Sequence, residues 1–443
     1  MRRLSLPSLP LTPKLVAFAV LAFFLIWWVP FSHVLPEGFP LRFGTYRTFQ
    51  VSEIAMWAIV ALGLNILTGY NGQISLGHSA FVAVGGYTAA ILMVDYGWPF
   101  WSTIILGGVI AGSLGFLIGV PALRLTGPYL AIATLGLALA TPQILKKYDG
   151  LTHGTQGINV RPEVPEPPAF IEDWFGIHLS NDEWIYFLAL FIALVMLILA
   201  INIVRSRIGR AFVAIRDSEI AAQAMGISVP RYKTMAFAIS AFYAGIAGGT
   251  YAQVVGYVSP ESFNFLLSIN FLTTIVVGGL ASILGSILGA TGLILVPELS
   301  DLVSFIPGAS LPAELSWAFY GGALILVMIF APYGLAGLVH RLTRWVSTRP
   351  RAELRNVVAG VGLGVAAVVL ADQLIGGFVG QTVGWIAFLL IATFLWGPAL
   401  TRMGARGYGR LLEARRGPPA SPGQTGAGPD DRPSEEHPDA GKR

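Results

Sequence analysis

The chain has no cysteine, which excludes disulfides, thiolate metal sites and a cysteine nucleophile. Charge is also scarce: 12% of its 443 residues are Asp, Glu, Lys or Arg, 54% are hydrophobic, and the mean hydropathy is +0.68. So little charge does not cover the surface of a water-soluble globule of this size, which argues against a soluble enzyme. No GxxxxGK[ST] phosphate loop and no HExxH occurs, and the apolar runs hold no paired carboxylates. His78 has no His, Asp or Glu partner at metal-ligand spacing, so neither a metal nor a cofactor is expected on this chain. A net charge of +4 invites a nucleic-acid reading, which fails once the charges are placed along the chain.

What the chain has in abundance is long apolar runs. Runs able to cross the roughly 30 Å hydrocarbon core lie at 14–31, 52–70, 76–94, 101–120, 128–146, 184–203, 234–257, 264–281, 284–303, 317–339, 357–378 and 381–400. The chain therefore reads as an all-α polytopic membrane protein. The 264–303 region, with Asn264, Asn270 and the stretch GGLASILGSILGATG, is either two spans or a broken, re-entrant segment. The 52 glycines and 28 prolines suit such a protein, because glycine permits close helix contact in lipid and proline kinks are tolerated there. The basic start before the first run resembles a signal peptide, but Ser32 to Pro36 offers no small-residue cleavage site, so an uncleaved first helix is expected.

Charge gives an independent check on the count. With a cytoplasmic N-terminus and twelve crossings, 23 of the 28 Lys and Arg face the cytoplasm, while Glu163, Glu166, Glu172, Asp173, Asp182 and Glu183 face outward. This is the positive-inside pattern, and an error of one span in the middle would reverse it. Both termini are then cytoplasmic. From Gly417 onward proline, glycine and charge dominate, as expected of a disordered tail.

The basic cytoplasmic loop 204–233 contains RDSEIAAQAMGISVPRYK, Arg216 to Lys233. Asp217 or Ser218 can cap a short helix there, Glu219 puts negative charge at its N-terminus, Gly226 can end it in a left-handed turn, and Pro230 forbids simple continuation. Ile220, Ala224 and Ile227 are expected to form an apolar strip, with Asp217, Glu219 and Gln223 outside it. Such a strip either lies on the protein's own cytoplasmic face or docks a soluble partner, and spacing alone leaves both open.

A family resemblance adds to this. GYNGQISLGHSAFVAVGGYTAA (Gly69 to Ala90), LTGPYLAIATLGLA (Leu125 to Ala138), LTHGTQGI (Leu151 to Ile158), GRAFVAIRDSEIAAQAMGI (Gly209 to Ile227) and VVGGLASILGSILGA (Val276 to Ala290) follow one another as in the LivM-type permeases of branched-chain amino-acid ABC importers. About two thirds of the chain resembles that family. The resemblance implies a type II importer bundle of about ten core helices, followed here by two extra C-terminal helices. It divides the chain into 1–50 (basic segment, first helix and outer loop), 51–340 (permease core), 341–400 (basic linker and the two added helices) and 401–443 (tail). It implies a bacterial inner-membrane location, a related second permease, two cytoplasmic ATPases carrying ATP and Mg, and an extracytoplasmic solute-binding protein. Arg216, Asp217, Glu219, Ala222 and Gly226 become the segment that transmits ATPase closure.

The polar positions within the apolar runs leave two readings. Asn65, Asn71, Gln73, Ser75 and His78 cluster across the end of one run and the start of the next, with Tyr129 and Thr134 on a later run. They either satisfy backbone groups at helix breaks or line a translocation path or gate. Thr152, His153, Thr155 and Gln156 fall just beyond the fifth run, where loop capping and a binding-protein contact are the alternatives. Glycines at 85, 86, 245, 248, 249, 278, 279, 285 and 289 read first as close helix contacts, and the GxxxG spacing of Gly285 and Gly289 does not establish a homodimer. Asp372 is the clearest ionisable group inside a run, and so few such groups argue against a proton relay. Within the family type, a permease for urea or short amides is the alternative. Outside it stand an ion-coupled secondary transporter and a non-transporting scaffold.

Overall fold

The computed structural model describes residues 45–163 apart from 124 and 126, residue 167, residues 180–298, and residues 322 and 334–337. All of them fall within the first of the chain's two compact units, Met1–Thr348. The expected first span, nearly all of the 317–339 run, the two added C-terminal spans with Asp372, and the tail lie outside the described residues.

The protein is an all-α polytopic membrane protein. Helix α1 (Thr45–Leu64) continues through a π-helical turn, Asn65–Tyr70. It is followed by α2 (His78–Val94), α3 (Phe100–Ala122), α4 (Pro128–Lys147) and the short α5 (Asp149–Thr152). Next come α6 (Asn181–Arg205), α7 (Arg207–Asp217), α8 (Glu219–Ala224) and α9 (Val229–Val255). The helices α10 (Phe265–Gly278) and α11 (Ile283–Glu298) complete the order. Five of the described helices are long and apolar enough to cross a bilayer: Thr48–Tyr70, Phe100–Pro121, Tyr129–Lys147, Asn181–Arg205 and Val229–Val255. Helix α2, α10 and α11 are apolar but shorter.

Helix α9 is the axis of the bundle, packed on α1, α2 and α3. The packing is close because its contact residues are small. A Cβ on Gly245 would lie 2.6 Å from the carbonyl oxygen of Gly107, and one on Gly248 would lie 2.0 Å from that of Val82. Lipid supplies no hydrophobic drive between helices, so this backbone proximity, with its dispersion contacts, holds them together. Buried hydroxyls add to it. Ser79 N donates to Ser268 Oγ at 2.9 Å, joining α2 to α10, and Tyr243 Oη donates to the Met196 carbonyl at 3.0 Å, joining α9 to α6. On α3 and α6, Ile105, Phe116, Leu117, Phe191, Leu194 and Ile198 are exposed, as helices facing lipid or another subunit require.

Of the 264–303 region, residues 264–298 are described and form two antiparallel helices joined by a tight turn. Asn264 caps α10 by accepting from Leu267 N at 3.1 Å. Gly278 faces Gly285, and Gly289 faces the Thr274 carbonyl, so the GxxxG pair serves a contact within the chain. With 14 residues, α10 is roughly 21 Å long, less than the roughly 30 Å of a bilayer core.

At the end expected to face outward, a two-residue bridge pairs β1 (Ile158–Asn159) with β2 (Tyr257–Val258), Ile158 opposite Val258 and Asn159 opposite Tyr257. It ties the loop after α4 to the segment after α9. Thr152 Oγ1 donates to the carbonyls of Leu145 and Tyr148, the latter at 2.8 Å, as a loop cap does. His153, at φ 57, turns its Nε2 to within 3.3 Å of the Asp95 carboxylate, and the Gln156 carbonyl accepts from Tyr257 Oη.

Candidate functional site

Helix α6 ends at Arg205, and Ser206 turns the chain by accepting from Ile208 N at 3.0 Å, which starts α7. Gly209 sits in this corner, where a Cβ would lie 2.2 Å from the Val204 carbonyl oxygen. Helix α7 is amphipathic: Ala211, Phe212 and Ile215 are buried, while Arg207, Arg210 and Arg216 stand outside. Ser218 then caps α8, accepting from Ala221 N at 3.3 Å. Gly226 at φ 81 ends it, with Gly226 N donating to Gln223 O at 2.9 Å and Ile227 N to Ala222 O at 3.0 Å. Those two bonds satisfy the last carbonyls of α8, and glycine takes the left-handed turn without a Cβ penalty. Pro230 occupies the first turn of α9, where its missing N–H costs nothing.

The apolar strip differs from the one expected. Ile220 is 82% and Met225 83% exposed, and Ala224 is exposed as well. The buried contact is Ala222 against Ile215 and Val229, with Ile227 beside them. Cap geometry explains the change, because Ser218 fixes the rotation of a six-residue helix that has too few turns to follow its hydrophobic residues. Glu219 receives Lys233 Nζ at 2.6 Å, a pairing that the sequence does not signal because Lys233 lies fourteen positions away at the end of the loop. Arg216 bonds the neighbouring Asp217 at 3.1 Å and donates from Nη1 to the Gly69 carbonyl at 2.9 Å.

The second arrangement surrounds the break between α1 and α2. In the π-helical turn, Asn71 N reaches back five residues to Ile66 O at 3.2 Å. Asn65, 1% exposed, uses its whole amide: Nδ2 donates to Ser282 O and to Ser286 Oγ, each at 2.8 Å, and Oδ1 accepts from Ala281 N at 2.9 Å. Gln73 Nε2 donates to the Lys233 carbonyl at 3.2 Å. Ser75 Oγ accepts from Gly77 N at 3.4 Å. Ser240 Oγ gives its proton to the Gly63 carbonyl at 2.7 Å and therefore accepts from His78 Nε2 at 2.8 Å. Thr134 Oγ1 accepts from Leu76 N at 2.9 Å, holding α4 to the extended segment before α2.

Asn65, Gln73, Ser75, His78 and Thr134 are thus buried groups with at least one hydrogen bond each, although His78 Nδ1 has no partner among the described residues. Asn71 is equally buried, but both polar atoms of its side chain lack a hydrogen-bond partner among the described residues. The same holds for Gln253 on α9, which sequence reading passed over inside its apolar run. Tyr129 stands apart from the cluster, 69% exposed on α4. Among the described residues no three His, Asp or Glu lie close enough to hold a metal.

Comparison with known proteins agrees with this architecture. The model of the family described as branched-chain amino acid transport system / permease component matches residues 48–328, which takes in the helix bundle, the α7–α8 segment and the polar break. The chain is 35% identical over 332 residues to the high-affinity branched-chain amino acid transport system permease protein LivM of Escherichia coli (strain K12), covering 70% of this chain and 73% of that protein. It is 28% identical over 296 residues to LivH of the same strain, covering 63% and 91%. It is 25% identical to BraD of Pseudomonas aeruginosa over 299 residues, covering 63% and 91%. No solved structure matches significantly. This chain belongs to the family of permease components of branched-chain amino acid transport systems.

Proposed function

We propose that this chain is one of two related permeases in an ATP-driven importer that carries branched-chain or related small amino acids into the cytoplasm. The observation that carries the reading is the family match at 48–328, which covers the bundle and the α7–α8 segment together. Likeness to both LivM and LivH supports a LivH-type chain as the second permease. Two ATPases holding ATP and Mg, and an extracytoplasmic binding protein, complete the complex in a bacterial inner membrane. The charge map supports cytoplasmic termini and a core of about ten spans followed by two added ones.

In this reading α8 is the contact with an ATPase. Arg216, Asp217, Glu219, Ala222 and Gly226 shape it, and Ile220 and Met225 are its apolar knobs, since two neighbouring large hydrophobics stand almost fully exposed on a water-facing helix. Glu219 fixes the helix to α9 through Lys233. Of the polar break residues, Asn71 is the one assigned to the solute path. Asn65, Gln73, Ser75, His78 and Thr134 already have partners, whereas a buried amide with none is costly unless a passing polar group satisfies it. Tyr129, exposed on α4, faces the second permease or lipid. A zwitterionic solute then meets amides, hydroxyls and backbone dipoles, without a fixed ion pair.

The test is reconstitution of this chain with the neighbouring-gene permease, ATPases and binding protein in proteoliposomes. ATP-dependent leucine, isoleucine or valine uptake is expected in the intact chain, and Ile220→Asp is expected to release the ATPase and lower uptake about tenfold. Uptake driven by an ion gradient without the ATPases would overturn the reading.

A further inference from the structure

We propose that Asn65 is the positioning residue that passes movement of the coupling segment to the turn between α10 and α11. This rests on the coupling reading of α7 and α8. Two stretches distant in sequence meet at this side chain. Its amide is fully committed to Ala281, Ser282 and Ser286, so two bonds tie the 279–282 turn to the π-helical turn after α1 and a third ties in α11, at 2.8 to 2.9 Å. The turn is held in an unusual backbone, with Ala281 at φ 56 and Gly279 at φ 122, so its geometry depends on those bonds.

The opposite side of the same turn of helix carries the coupling segment. The π-helical backbone leaves the Gly69 carbonyl free to accept Arg216 Nη1 at 2.9 Å. Gly69 also lies directly on the Asn65–Ala281 bond: a Cβ there would come 1.9 Å from Asn65 Oδ1 and 2.5 Å from Ala281 N. A shift of Arg216 therefore moves Gly69, and Gly69 cannot move without displacing Asn65 or Ala281. The contacts are contiguous from the last turn of α7 to α11, and a packed chain of this kind transmits displacement because it has no slack. Gln73 Nε2, bonded to the Lys233 carbonyl, holds the far side of the break to α9.

Because the chain has no cysteine, a single Cys at Leu280, which is 51% exposed, can carry a fluorescent or spin probe on the turn itself. In the reconstituted complex the Leu280→Cys probe is expected to change signal on ATP binding. Asn65→Ala is expected to abolish that change and to lower uptake per ATP hydrolysed about five- to tenfold, with basal ATPase activity and complex assembly kept. Arg216→Met cuts the other end of the path and leaves the Asn65 bonds intact; because Arg216 also shapes the α8 contact, ATPase binding is measured beside it, and in the assembled fraction it is expected to abolish the Leu280 response as Asn65→Ala does, the double variant losing no more than either single one. Should Asn65→Ala fail to assemble, Ser286→Ala, which removes one acceptor of the Asn65 amide and lies outside the α8 contact, decides in its place. A retained Leu280 response, or additive losses, overturns the proposal. If Ile220→Asp leaves ATPase binding intact, the coupling reading fails; if it releases the ATPase while Asn65→Ala keeps full uptake per ATP, only this inference fails.

Discussion

Glu219 and Lys233 form the ion pair that seats α8 on α9, and the burial of its two ends is unequal: the Lys233 side chain is 10% exposed and that of Glu219 50%. Removing the carboxylate leaves an ammonium group buried without its partner, which costs more than the pair itself contributes. Exposure of Glu219 screens the interaction, so the expected loss for Glu219→Gln is about 1–2 kcal/mol. A lowered thermal midpoint in detergent checks it, and Glu219→Gln with Lys233→Met is expected to recover most of the loss; no recovery would mean that Lys233 acts through something other than Glu219. Asn65 shows the limit of sequence reading at this scale. A polar residue near the end of an apolar run marks it as an anchored group, but its partner Ser282 is 217 positions away and is one serine among many. The same reading could not separate Asn71, which lacks partners, from Gln73, which has one.

Helix α8 was legible as an element with a capped start, a glycine stop and a proline beyond it, and each of those positions has the geometry its residue type suggests. Its apolar face was not, because i, i+4 spacing predicts a stripe only where a helix has enough turns to settle by packing. Helix α7 was passed over, although Ile208, Ala211, Phe212 and Ile215 at three- and four-residue intervals between arginines are the signal that finds it. The stop at Gly226 gives a prediction of its own. A Cβ there meets nothing within 4 Å, yet φ is 81, so the cost of Gly226→Val lies in the backbone, which it strains by about 1–2 kcal/mol. The expected result is loss of the α8 end, with ATP hydrolysis kept and uptake lowered in proteoliposomes, while Gly136→Ala on α4, also without neighbours within 4 Å, leaves uptake unchanged.

At the level of the whole molecule the charge map predicts α8 on the cytoplasmic side and the β1–β2 bridge on the outside. A cysteine-free chain makes this directly testable. A membrane-impermeant maleimide applied to intact cells is expected to label Tyr257→Cys and to miss Ile220→Cys, with the reverse in inverted vesicles; both residues are exposed, so access to the reagent is not limited by burial. Labelling of both from one side would overturn the orientation. Within the bundle, α1 and α9 are mostly enclosed, whereas α3, α4 and α6 keep apolar faces outward for lipid or a second subunit.

Composition, run length and charge asymmetry determined by themselves that this is a polytopic helical membrane protein, because the energy of placing residues in hydrocarbon depends on residue type more than on neighbours. The blocks that resemble LivM-type permeases carried the family. Tertiary structure alone decided which polar groups are satisfied, which face of α8 is free, and that Arg216, Gly69, Asn65 and Ser282 form one connected path. Those outcomes depend on where helices far apart in sequence cross, and a hydrogen bond or a glycine contact exists only once both sides have been brought within a few ångströms.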